Sequence, residues 1–325
     1  MTTRLSSSLG TVTRAIRQYL DEARIIEIML NPDGRVWVDR AGEGMAVTET
    51  VIGPAEAEAF LRFVAAESRA TLTEDTPAMA GTLPHWDARV QGFIPPVVSR
   101  PTFTIRKPAP VIYSLEDYVA KGVVTAEQRE ALIRAVTAGK NILVGGGTGT
   151  GKTTFANALL HAIAEQTNDR LYIAEDTPEL QCSSPNKVMV RTKRGKFEMR
   201  DAVFAALRFR PDRIIVGEIR DATALDLLKA WNTGHRGGLA TIHANDTSGM
   251  LTRCCQLIEE DRKRADKQFV AEAVNVCVHL TLDLRASAGR RLSGLDAVKG
   301  YDRATRRWLL EPLVGSAVNG LGTAA

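Results

Sequence analysis

The chain has 325 residues, 44% of them apolar and 25% charged, with a formal net charge of +4. That balance builds a core and excludes a disordered chain, and the length suits about two domains. The charge is mild and mixed in sign, which by itself does not argue for nucleic acid, since a DNA binder concentrates its positive charge on one face.

In chain order, Arg4, Arg14 and Arg17 interrupt the opening residues before any long apolar run, which argues against a signal peptide. A helix is expected over 12–20. Two short strands are expected over 25–42, around the turn triplet Pro32-Asp33-Gly34. Residues 54–69 have helical spacing with Pro54 in the first turn. Strand-like pieces follow at 83–96 and 102–107. These elements predict a smaller α+β N-terminal domain over residues 1–109, closed by the proline punctuation Pro101, Pro108 and Pro110.

Beyond it the pattern changes. Helical spacing over 115–138, 153–165, 200–209 and 222–232 alternates with apolar runs at 141–146, 170–176, 188–191, 213–218 and 239–244. This alternation predicts an α/β domain over 110–325, with a mainly parallel sheet covered on both faces. Residues 268–284 read as a helix running into a strand, and 290–313 as paired strands. No run approaches the roughly 18–20 apolar residues of a membrane span, so any membrane contact is expected to be peripheral. The four cysteines, Cys182, Cys254, Cys255 and Cys277, form no C-x-x-C pair, which argues for a reduced, cytoplasmic protein without a zinc ribbon.

The chemistry is carried by NILVGGGTGTGKTT, residues 141–154. Its Gly146-x-x-x-x-Gly151-Lys152-Thr153 core is a phosphate-binding loop between an apolar strand and a helix, the context that motif requires. Gly146, Gly147, Thr148, Gly149, Thr150, Gly151, Lys152, Thr153 and Thr154 are the expected nucleotide contacts. Lys152 is expected to reach the β- and γ-phosphates of ATP and Thr153 to ligate Mg²⁺. Hydrolysis needs a carboxylate that orients water. Glu218 stands at the end of RIIVGE, and Glu175 and Glu179 lie at the end of RLYIAED and in the turn after it. All three remain candidates.

These segments together resemble the secretion and traffic ATPases of the RecA-like superfamily, most closely the TrbB-type conjugal-transfer ATPases of type IV secretion. GGGTGTGKTT (145–154) is similar to their Walker A segment, AEDTPELQ (174–181) to their acidic box, RPDRIIVGEIRDATALDLLKAWNTG (210–234) to their Walker B segment with Gly-Glu in place of an Asp, and GHRGGLATIHAND (234–246) to their histidine box. The resemblance implies a RecA-like fold and a cytoplasmic ATPase in a hexameric ring. Hydrolysis would power assembly of, or transfer through, a secretion apparatus whose membrane-associated proteins are its partners. It also implies N-terminal arginines that reach nucleotide at a domain or subunit interface. Arg89 and Arg100 match as nucleotide-binding positions and Arg106 as a catalytic one. A bidentate cation there would neutralise the transferring phosphoryl group.

Two alternatives are a pilus-retraction type ATPase and a nucleotide-gated assembly scaffold with little turnover. The basic stretch 191–200 with its single aromatic, Phe197, reads as a solvated hairpin, so direct nucleic-acid binding is not expected. His235 and His243 lie eight residues apart with no third ligand nearby, which disfavours zinc. The strand LATIH is expected to bring His243 to the nucleotide edge, as a sensor of the γ-phosphate.

Overall fold

The computed structural model describes residues 2–40, 43–83, 85–108, 112–193, 195–261, 264–283 and 285–315. The boundary expected at 109 and the chain beyond Gly315 lie outside them. The chain divides into two compact units, Met1–Val111 and Ile112–Ala325.

The first unit runs α1 (Thr2–Asp21), β1 (Ile25–Leu30), β2 (Arg35–Arg40), β3 (Gly44–Val51), α2 (Pro54–Glu67), β4 (Ala78–Leu83), β5 (Ala88–Phe93) and β6 (Thr102–Arg106). Its six strands form one sheet in the order β3-β2-β1-β6-β5-β4, antiparallel throughout. Alternation along β1, β2, β5 and β6 sends Ile28, Val36, Val38, Val90 and Ile105 to one face. There they meet Ile16 and Leu20 of α1 and Phe60, Leu61 and Val64 of α2.

The second unit opens with α3 (Leu115–Ala120) and α4 (Ala126–Thr137). The Ser114 and Thr125 side chains cap these helices by accepting from the third-residue N–H of each. Then come β7 (Ile142–Gly146), α5 (Lys152–Gln166), β8 (Leu171–Glu175), β9 (Lys187–Arg191), α6 (Met199–Ala206), β10 (Arg213–Val216), α7 (Thr223–Asn232), β11 (Leu239–His243), α8 (Thr247–Glu259), α9 (Lys267–Ala273), β12 (Val276–Leu282), β13 (Arg290–Asp302) and β14 (Arg307–Pro312).

The sheet order is β14-β13-β12-β7-β11-β10-β8-β9. The strands from β12 to β9 pair parallel, as expected, but β12–β13 and β13–β14 pair antiparallel, so the sheet is mixed. The reason lies in the connections. After β12 the chain turns back through a short loop, whereas the parallel strands are joined by longer crossovers that pass through a helix everywhere except between β8 and β9. β7, β8 and β10 are buried along their whole length, because helices cover both faces. Ile142 and Val144 of β7 pack with Leu132, Phe155 and Leu159, while Leu143 packs on the opposite side with Trp231, Leu251 and Cys254.

Candidate active site

β7 delivers the chain directly into the phosphate loop. Gly149 and Gly151 hold φ of +75° and +89°, a region that glycine enters without strain. At Gly146 a Cβ would stand 2.5 Å from the carbonyl oxygen of Leu280 and 2.6 Å from Thr150 Oγ1, so the strand exit has no room for a side chain. The loop closes on itself: Thr150 Oγ1 and Lys152 Nζ both donate to the carbonyl of Gly147, at 2.9 and 3.0 Å. α5 then begins after its N-cap Gly151 with no side-chain cap hydrogen bond, and α2, α6 and α7 also lack one. An uncapped helix start preceded by left-handed glycines leaves N–H groups for an anion. Gly147, Thr148 and Gly149 are exposed, and Thr153 and Thr154 are half-buried on the first turn.

β11 lies beside β7 and places His243 opposite Gly146. Lys152 Nζ is 3.2 Å from His243 Nδ1. An ammonium can only donate, so Nδ1 accepts and the ring proton sits on Nε2. Burial, reinforced by the Lys152 charge, lowers the His243 pKa and keeps the ring neutral. Nε2 stands 2.9 Å from Glu218 Oε1. The approach does not complete a hydrogen bond, and that buried oxygen has no hydrogen-bond partner. Glu218 Oε2 accepts from Arg220 Nε at 2.7 Å, and Arg220 Nη1 reaches Asp176 Oδ2 at 2.5 Å. Arg220 therefore ties the end of β10 to the end of β8.

Glu175 has a different setting. It is 5% exposed, and its Oε1 accepts the backbone N–H groups of Glu179 and Leu180 at 3.0 and 2.8 Å. Burial pushes its pKa up to about 7. A Cβ at Gly217 would lie 3.1 Å from Glu175 Cγ, so Glu175 takes the space that a side chain at 217 would need. The carbonyl of Glu179 accepts from Asn157 of α5 at 3.1 Å, which joins the acidic turn to the phosphate-loop helix.

The structure thus gathers the phosphate loop, His243, Glu218, Glu175 and Glu179 at the C-terminal edge of the parallel strands, the edge where open α/β sheets bind ligands. His235 is not among them. It precedes β11, at the opposite end of that strand, where its Nδ1 lies 3.3 Å from the carbonyl of Ala230. Phe197 packs against the core, as a hairpin residue would. In the first unit, Arg89 of β5 and Arg106 of β6 are paired directly across the two strands, and Arg100 is exposed in the loop between them. Arg220 was missed from the sequence, although two acidic strand ends brought together need a shared cation, and Arg220 follows one of them by two residues.

The type II/IV secretion system protein family matches residues 12–305. A conjugal transfer protein TrbB of Rhizobium radiobacter is 42% identical over 283 residues, 87% of this chain and 86% of that protein. A type IV secretion system protein VirB11 of Bartonella henselae is 31% identical over 79% of this chain and 82% of its own length. Among solved structures, a pilus retraction motor PilT with bound ADP superposes with a TM-score of 0.63 at 19% identity, covering 91% of this chain and 84% of that one.

Proposed function

The chain belongs to the type II/IV secretion system protein family, and on that premise we propose that it is an ATP hydrolase powering assembly of, or transfer through, a type IV secretion apparatus of the conjugal kind. Residues 146–154 hold the triphosphate, and Lys152 neutralises the β- and γ-phosphates. Bound Mg²⁺ supplies further charge neutralisation there, with the Thr153 hydroxyl as its protein ligand. Among the described residues no group of three His, Cys, Asp or Glu side chains could hold a metal by itself, which suits an ion that arrives with the nucleotide.

Glu218 is the water-orienting base. Its Oε1 is buried and without a hydrogen-bond partner, while Oε2 is held by Arg220, so one oxygen is fixed and the other is free to accept. Glu175 supports the acidic turn through two backbone N–H groups. His243 touches both Lys152 and Glu218 and is the sensor of the γ-phosphate. The observation that carries the reading is this continuous line, Lys152 to His243 to Glu218.

The protein acts as a homo-oligomer, in a hexameric ring, on the cytoplasmic side of membrane-associated secretion proteins. Arg89, Arg100 and Arg106 complete the nucleotide site. No described helix is long and apolar enough to cross a membrane.

Phosphate release together with nucleotide titration tests the roles. Lys152→Ala loses ATP binding. Glu218→Gln binds ATP and loses turnover by about 10²–10⁴-fold, the usual contribution of a general base. His243→Ala binds ATP and turns over more slowly. Wild-type turnover in Glu218→Gln would remove Glu218 from this role.

A further inference from the structure

Arg290 opens β13, far along the chain from the phosphate loop, yet it lies against it. Its Nη1 donates to the carbonyl of Thr150 at 3.3 Å, across 140 residues of sequence. A Cβ at Gly151 would lie 2.4 Å from that same nitrogen, so the bare glycine and the guanidinium share one small space. Arg290 is half-buried. It has no carboxylate partner among the described residues. Its neighbour Arg291, on the other face of the strand, is paired with Asp283 at 3.0 Å. Arg213 and Arg220, two other arginines near the sheet ends, are paired with Asp169 and with Glu218 and Asp176. A partly desolvated cation held by a single neutral carbonyl keeps most of its five donors for something else.

Sheet order says which part of a nucleotide that would be. β7 is flanked by β11 on one side and β12 on the other, with β13 beyond β12. Glu218 and His243 come from the β10–β11 side and Arg290 from the β13 side, so the loop separates it from the hydrolytic residues. We propose that Arg290 is a nucleotide-binding residue whose guanidinium engages the phosphates nearest the nucleoside, those common to ATP and ADP. The inference rests on the ATPase reading of the site. A β12–β13 hairpin anchored on bound nucleotide also gives that antiparallel pairing of the sheet a function.

The experiment is titration of the full-length chain with fluorescent ATP and ADP analogues, for wild type, Arg290→Gln and Arg290→Ala. Circular dichroism and the thermal midpoint of the nucleotide-free proteins are compared alongside. Glutamine can still donate to the Thr150 carbonyl but has no charge. The expected result is that both variants fold as wild type and lose affinity for ATP and ADP alike, by about tenfold, as suits a lost charge-assisted contact. Arg290→Gln binding like wild type, with loss confined to Arg290→Ala, would show a side chain that only holds the carbonyl and would overturn the inference. So would a loss for ATP with ADP unaffected. A wild-type chain that binds neither nucleotide would overturn the ATPase reading itself, a result distinct from wild-type binding that Arg290→Gln leaves unchanged.

Discussion

Glu175 and Glu218 stand on neighbouring strand ends, and their surroundings divide them. Glu218 keeps one oxygen without a partner beside an imidazole, whereas Glu175 is buried with two peptide N–H groups on one oxygen. Burial outweighs those hydrogen bonds and raises the Glu175 pKa to about 7. Between the ordinary carboxyl value and about 7, the folded chain keeps a proton that the unfolded chain has released. Stability from this group is therefore fully present below that window and declines as pH rises through it. Glu175→Gln keeps an acceptor for both N–H groups and does not titrate. Relative to this variant, wild type should lose on the order of 3 kcal/mol between pH 4.5 and 8, taking about 1.4 kcal/mol per pKa unit. Urea unfolding of both proteins at the two ends of that range measures it. Parallel pH dependences would mean that Glu175 is ionised in the fold.

At the scale of elements, the site depends on β7 entering between β11 and β12 in fixed register, and Asn141 sets that entry. It is 3% exposed, its Nδ2 donates to the carbonyl of Ala273 at 2.7 Å, and its Oδ1 accepts from Gly238 N–H at 2.9 Å. Asn141→Ala leaves a buried carbonyl and a buried N–H without partners and should cost about 2–6 kcal/mol, at roughly 1–3 kcal/mol per orphaned group. The fall in urea midpoint checks this, and a fall below about 1 kcal/mol would show that water replaces the amide. The sequence displayed β7, β8, β10 and β11 because strands buried on both faces are unbroken apolar runs. It hid β3, whose exposed Met45, Val47 and Val51 alternate without a buried partner face. α8 was not among the expected helices, since Gly249 and small polar residues fill its first turn. The phosphate loop and the two acidic strand ends were legible because their chemistry sits in contiguous segments. Arg290 was not, because only the antiparallel return of β13 brings it to Gly151, and nothing local in its sequence marks that contact.

For the whole molecule, the question is what Arg89 and Arg106 do. They face each other across β5 and β6, and neither has an ion-pair partner among the described residues. On its other side Arg106 is in register with Glu27 of β1, which offsets part of the repulsion between the two arginines, and an anion between them would offset the rest. A nucleotide phosphate is such an anion. If the ring places these arginines at a neighbouring subunit's nucleotide, two inactive proteins should repair each other. Arg106→Ala keeps an intact phosphate loop, and Lys152→Ala keeps an intact arginine. In a mixed ring, an Arg106→Ala subunit binds ATP, and a Lys152→Ala neighbour supplies the missing guanidinium to it. Each protein alone should be nearly inactive. An equimolar mixture, allowed to exchange subunits, should recover a substantial share of wild-type phosphate release, with a salt dependence suited to a charge contact. Should the arginine serve its own subunit's nucleotide, no interface in the mixed ring holds both intact groups together, and the mixture stays as inactive as its parts.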